Sequence, residues 1–277
     1  MGAPGTHQLK QLLALPHFRV LLLNNCGLGP DGAKELANFF RDISEGASAA
    51  SSSSSSSPAS VEGLVEAVAT LSIAAQGVML EELHVGRNRM KDEGAEELAK
   101  GIPFLKELKV FTCISNSIKS AGLVALSRAL QSCPKLQRLD FGDNFLKKEG
   151  SAALEDLLLS SNSLTSIRIA DCCVEDAGPS LVRKIVDNAS LAARLEDLDL
   201  SFNDLSSECA EIIADSLDKL PLLKSLNLNG NCLSKASISK LKAALKQSNR
   251  LEILQTLEDN QDEDEDEDDD NDGEDDD

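Results

Sequence analysis

The chain has 277 residues, a formal net charge of −20, no Trp, no Tyr and only 3% aromatic residues. That charge excludes a nucleic-acid binder of the ordinary basic kind, and the aromatic poverty excludes a core built on large rings. Seven Cys is an odd number, which argues against a disulfide-stapled secreted domain.

The N-terminus, MGAPGTHQLKQ, has no apolar signal-peptide region, and no uninterrupted apolar run is long enough to span a bilayer. A short helix is predicted at HQLKQLLALPHF, residues 7–18. Then a pattern begins that recurs along the chain, L-x-L-x-x-N-x-L, with Cys sometimes in place of Asn. Its copies are Leu21-Leu23-Cys26-Leu28, Leu83-Val85-Asn88-Met90, Phe111-Cys113-Asn116-Ile118, Leu139-Phe141-Asn144-Leu146, Ile167-Ile169-Cys172-Val174, Leu198-Leu200-Asn203-Leu205 and Leu226-Leu228-Asn231-Leu233. From Asn88 on, the Asn or Cys position advances by 28 residues at each step except the 31 between Cys172 and Asn203.

Each part of the pattern has a physical reading. The L-x-L core is a short strand whose alternate side chains point inward. The Asn follows where the chain turns, and its buried amide can bond the backbone of neighbouring turns in a ladder, with Cys as a smaller substitute. Cys26, Cys113 and Cys172 are therefore expected to be buried. The second half of each repeat, as in DEGAEELAKGI, SAGLVALSRALQSC and EGSAALEDLLLSS, has apolar residues at helical spacing. Stacked strand–helix units of about 28 residues give an α/β leucine-rich-repeat solenoid, a horseshoe with a concave parallel sheet and convex helices, of the ribonuclease inhibitor-like kind.

Between Cys26 and Asn88 the step is 62 residues. The Ser-rich stretch 44–60 has no hydrophobic pattern and is expected to be a disordered insertion; one enlarged repeat is favoured over two degenerate ones. SISKLKAALKQSNRLEIL, with a Lys-rich outer face, is expected to close the array. Residues 1–257 thus form the repeat domain. Residues 258–277 carry 16 acidic and no basic side chains and form a disordered acidic tail, which leaves −4 on the body. The three His show no metal-ligand spacing or pairing with Cys, and no P-loop, G-x-G-x-x-G or G-x-S-x-G occurs. No cofactor and no catalytic centre of its own is expected.

The segments LNNCGLGPDGAKELANFF (23–40), VGRNRMKDEGAEELAK (85–100), LDFGDNFLKKEGSAAL (139–154) and LNLNGNCLS (226–234), with the acidic tail, resemble the Ran GTPase-activating protein family. The resemblance runs from about Leu21 to the C-terminus and implies activation of GTP hydrolysis on a Ran-type small GTPase in its GTP form, with or without a Ran-binding protein, in support of nucleocytoplasmic transport. It further implies a cytoplasmic location, including the nuclear envelope, and GTP and Mg²⁺ that belong to the partner. In that family a rim asparagine positions the GTPase's own catalytic glutamine and no arginine finger is inserted. Aligned on GLGP, this asparagine falls at Asn25, or at Asn24 if the alignment shifts by one residue; the rim arginines fall at Arg87 and Arg89. The family's upstream repeats, including an arginine important for activity, are expected to be missing here. Apart from the resemblance, Asn25 precedes ladder residue Cys26 and so belongs on the rim, and Arg87 and Arg89 flank ladder Asn88 and so point outward. Asp140, Asp143, Asp171 and Asp199 lie on or near the strands and suggest an acidic concave stripe. Two other readings stand beside the activator: a repeat scaffold that binds a protein without altering catalysis, and an acidic histone-chaperone-like protein, against which the long repeats argue.

Overall fold

The computed structural model describes residues 17–50 and 78–260. Seven strands of three residues, β1 (Val20–Leu22), β2 (Glu82–His84), β3 (Val110–Thr112), β4 (Arg138–Asp140), β5 (Ser166–Arg168), β6 (Asp197–Asp199) and β7 (Ser225–Asn227), form one parallel sheet in chain order. The register is residue for residue, so that Leu21, Leu83, Phe111, Leu139, Ile167, Leu198 and Leu226 form a single row. This row is buried along its whole length, while the residues on either side of it face the concave surface, as the period of two in a strand requires.

Parallel strands need a crossover. Here the crossovers run through α1 (Gly29–Ala50), α2 (Lys91–Gly101), α3 (Ser120–Leu130), α4 (Lys147–Ser160), α5 (Gly178–Asp187), the single turn α6 (Ala189–Ala192) and α7 (Ser207–Asp215); α8 (Lys235–Gln247) follows the last strand. The buried apolar residues of the helices join the strand row in one core, as Ala95, Leu98 and Ala99 of α2 do. Small residues let the helices nest: a Cβ on Gly101 would stand 2.6 Å from Cα of Ala37 in α1. Phe111 and Phe141 meet edge to face, with ring centroids 6.2 Å apart. Among the described residues no helix is long and apolar enough to cross a membrane.

Between strand and helix runs the ladder. Asn116 Oδ1 accepts the Asn88 N–H (2.9 Å), and its Nδ2 donates to the carbonyls of Val85 (3.0 Å) and Ile114 (3.1 Å). Asn144 repeats this towards Asn116 and Cys113 O, Asn203 towards Cys172 and Ile169 O, and Asn231 towards Asn203 and Leu200 O. Cys172 stands in with its thiol, which donates to the carbonyls of Phe141 (3.3 Å) and Ala170 (3.5 Å). Burial pushes this thiol's pKa far up, so it stays a neutral donor.

Three expectations need correction. Cys26 is exposed, whereas Cys113 and Cys172 are buried; β1 is the edge strand, so the side chain facing outward from its turn meets no earlier turn among the described residues. α1 continues through Ser44–Ala50, the first seven residues of the expected disordered insertion, because SEGASAA ends in good helix formers. The solenoid also extends past residue 257. Leu254 bridges to Leu226, Asp259 exchanges bonds with Asn229, and Asn260 Oδ1 accepts the Asn231 N–H at 2.9 Å. Asn260 is therefore an eighth ladder position, and the Glu258–Asn260 stretch belongs to the array. The expected N-terminal helix up to residue 16, the rest of the insertion, and residues 261–277 of the acidic tail lie outside the described residues.

Asn116→Ala leaves the buried Asn88 N–H without its acceptor and takes one of two donors from each of the Val85 and Ile114 carbonyls, which keep Asn88 Nδ2 and the Arg87 N–H respectively. The expected loss is about 1–3 kcal/mol, read as a lower urea midpoint with an unchanged slope.

Candidate partner-binding rim

Each ladder amide has to turn inward, and its chain neighbours are thereby turned out. The result is a row of left-handed residues, one per repeat: Asn25 (φ 56°), Arg87 (58°), Ser115 (54°), Asp143 (53°), Asp171 (52°), Phe202 (54°) and Gly230 (65°). The row is also a backbone rail. The N–H of Asn25 donates to Gly86 O (2.9 Å), that of Arg87 to Ile114 O (2.8 Å), that of Asp143 to Ala170 O (2.8 Å) and that of Phe202 to Asn229 O (2.8 Å). Asn25 and Arg87 thus occupy equivalent places on adjacent, mutually bonded turns. Arg89, also left-handed, is equivalent to Gly27.

The four residues expected at the site are brought together on these two turns, but they are not alike. Asn24 Oδ1 accepts the Gly86 N–H at 2.7 Å and clamps the first turn to the second; Gly86 permits this, since a Cβ there would stand 3.1 Å from that oxygen. Asn25 is exposed, and among the described residues its amide has no hydrogen-bond partner. Arg87 and Arg89 are exposed too, and neither forms an ion pair among the described residues. Asn24 positions the turn, and Asn25, Arg87 and Arg89 are displayed by it.

Two rim residues were not anticipated. Phe145 and Phe202 are 42% and 50% exposed, whereas Phe40, Phe111 and Phe141 are fully buried. The Phe202 ring rests over Gly230, where a Cβ would come within 2.2 Å of it. The signal for both was available: each Phe sits directly beside a ladder Asn, where the other repeats place polar, charged or small residues.

The family model for the leucine-rich repeat matches residues 14–37, 78–99 and 219–242. The fold is a leucine-rich-repeat solenoid. Among solved structures the chain is similar to the tropomodulin C-terminal domain of Caenorhabditis elegans, at 17% identity over 51% of this chain and 84% of that one, with a TM-score of 0.43. It is also similar to a protein from Bacteroides fragilis, at 15% identity over 66% and 67% of the two chains, with a TM-score of 0.33. No curated protein matches the chain.

The concave face of the solenoid does not carry the continuous acidic stripe expected from its aspartates. Asp140, Arg168 and Asp199 are in register on β4, β5 and β6, so a guanidinium interrupts the acids, and Arg168 Nε lies 2.6 Å from Asp197 Oδ2. Asp143 and Asp171 stand in rim turns instead. Burial raises the Asp140 pKa, against the lowering effect of the Gly142 N–H that its Oδ1 accepts. The solenoid places Asn227 at the matching position of β7, bonded in the same way to the Asn229 N–H. No group of three or more His, Cys, Asp or Glu that could hold a metal exists among the described residues.

Two predictions follow from this geometry. Asn24→Ala removes the clamp on Gly86 and is expected to cost about 1 kcal/mol, whereas Asn25→Gly, at a left-handed position without side-chain bonds, stays within about 0.5 kcal/mol of the parent; chemical denaturation distinguishes the two. Asp140→Asn keeps the bond to Gly142 and removes a charge whose folded pKa is raised. The charged form therefore weakens the fold at neutral pH, and this penalty is absent below the ordinary aspartate range. The variant is expected to be the more stable one at pH 7, with the difference vanishing as pH falls through that range in a series of urea melts.

Proposed function

We propose that this chain is an activator of a Ran-type small GTPase, docking on the GTP form through the rim at β1 and β2. The observation that carries the reading is the rim geometry: an exposed, left-handed Asn25 on a turn held by Asn24, beside the exposed Arg87 and Arg89, with no side-chain partner for any of the three among the described residues. The resemblance in LNNCGLGP and GRNR supplies the identity of the partner.

The chemistry asked of Asn25 is modest. Phosphoryl transfer leaves the protein mainly with positioning and charge stabilisation. A carboxamide has both a donor and an acceptor, so Asn25 can hold the partner's glutamine side chain in the pose that orients the attacking water. Restricting that side chain removes conformational freedom that would otherwise have to be lost in the transition state. Arg87 and Arg89 offer planar forks to carboxylates on the partner and add binding without taking part in the reaction. The GTP and Mg²⁺ sit in the partner, and the place of action is the cytoplasm or the cytoplasmic face of the nuclear envelope.

A second reading has its own support. Exposed Phe145 and Phe202 on the same rim are the kind of aromatic anchors that dominate protein interfaces, and they need no catalysis to be useful. The leucine-rich repeats are in either case a protein-binding surface.

Single-turnover GTP hydrolysis on Ran separates the readings. The activator reading expects acceleration by orders of magnitude, with Asn25→Ala lowering the rate about 100-fold while binding to GTP-loaded Ran stays within a few-fold. Arg87→Ala and Arg89→Ala should chiefly weaken binding. Binding without acceleration by the parent chain would leave the scaffold, and neither binding nor acceleration would remove Ran from the account.

A further inference from the structure

The lysines of α8 divide into two sets. Lys240 turns back to the preceding helix, where its Nζ lies 2.8 Å from Asp215 Oδ2 and 3.8 Å from Glu211 Oε2, both on α7. Lys235, Lys242 and Lys246 follow one another at i, i+7 and i+11, which at about 3.6 residues per turn is a single stripe. The buried residues Ser237, Leu241 and Leu245 fix the inner side of the helix. Relative to them the stripe lies on the side away from Lys240 and α7. It therefore faces the end of the array, where no further α-helix follows among the described residues and only the single 3₁₀ turn Leu251–Ile253 also meets α8. Lys242 and Lys246 are exposed and form no ion pair there. α8 contains no acidic residue at all, and none stands in its first turn to answer the positive end of the helix dipole.

The segment that leaves this end of the molecule has the opposite charge. Asn260 occupies the ladder position next to Asn231, its Oδ1 2.9 Å from the Asn231 N–H, and Asn231 is only four residues from the first residue of α8. Residues 261–277 follow directly, with 14 acidic side chains and no basic one. Fully extended, this segment reaches about 56 Å, whereas α8, with 13 residues, is about 20 Å long. Tethering beside the stripe makes the encounter intramolecular, with a high effective concentration.

We propose that residues 261–277 dock in cis on Lys242 and Lys246 of the α8 stripe and cover the end of the solenoid. The contact is electrostatic and salt-sensitive, and it lies at the far end of the sheet from Asn25, Arg87 and Arg89. It stands independently of the activator reading, since no partner takes part in it.

The test is ¹⁵N NMR of the full chain, following the amide signals of residues 261–277. At low salt the parent is expected to show tail signals displaced from their positions in Lys242→Gln/Lys246→Gln, while about 0.5 M salt, where the Debye length falls to a few ångström, brings the two spectra together. Lys242→Arg/Lys246→Arg, which keeps the charge, should retain the displaced signals; circular dichroism confirms that each variant is folded. Coincident tail signals in the parent and the Gln variant at low salt would overturn the proposal. So would displacement that fades on dilution, which would mean docking on a second copy, or displacement abolished by Arg87→Gln/Arg89→Gln, which would move the tail to the rim.

Discussion

The structure depends on one buried carboxamide per repeat. Strands of three residues have too few ladder bonds to stand alone, and the turn after each strand would otherwise bury unpaired backbone groups. The Asn amide meets both needs, because it accepts from the preceding repeat and donates to carbonyls of its own and the preceding turn. Cys172 shows which half of the role matters more. Its thiol still reaches the carbonyls of Phe141 and Ala170, while sulfur is only a weak acceptor. The next step in the ladder is the long one, 31 residues to Asn203, yet the Cys172 N–H still meets Asn203 Oδ1 at 2.9 Å. The extra residues are absorbed on the convex side, where α5 is followed by the single turn α6. The helices accommodate the change in length and the ladder keeps its register.

The rim is a by-product of that same constraint. Turning an amide inward rotates its neighbours outward into left-handed backbone, at about 1 kcal/mol or more for a residue with a Cβ. Asn tolerates this conformation better than most residues, and the inter-repeat N–H to carbonyl bonds of the rail offset the cost. A displayed rim residue such as Asn25 is therefore held firmly by its backbone while its side chain has no hydrogen-bond partner among the described residues. That combination suits a group meant to orient another protein's side chain, because little freedom remains to be lost on contact. Asn24 and Asn25 illustrate the division: one amide fixes the turn, and the other is presented by it.

Much of this fold is legible in the sequence, because a solenoid repeats its local rules. The L-x-L row, the Asn spacing and the helical stripes each specify the same unit several times over, and their agreement places strands, ladder and helices. What the sequence conceals are the places where the repetition stops or where neighbours decide. Asn260 was hidden because its repeat lacks the L-x-L signature and runs into the acidic residues. Cys26 was assigned to the interior by its ladder position, but burial requires a turn on both sides. The aspartates of the concave face were visible one by one, yet only the register shows Arg168 standing between Asp140 and Asp199. Which residues sit on the rim was legible from their places beside the ladder positions. Which of Asn24 and Asn25 is engaged depended on a bond across 62 residues.

The two ends of the array are built differently, and this bears on where a partner can act. At the β7 side the core is closed by the short helix Leu251–Ile253, by Leu254 bridging to Leu226 and by the last ladder amide of Asn260. At β1, Val20 and Leu22 flank the buried Leu21 and are 42% and 64% exposed, so an apolar corner of the concave face lies beside Asn24 and Asn25. The first turn is held from one side only among the described residues: by Gly86 O under the Asn25 N–H, by Asn24 on the Gly86 N–H, and by Asn88 Oδ1 on the N–H groups of Cys26 and Leu28. Every one of these bonds comes from the β2 repeat. The position of Asn25 is thus set by the turn that also presents Arg87 and Arg89, so the three side chains keep a common frame even if the edge of the array yields. A partner that grips the two arginines registers itself against Asn25 by the same act.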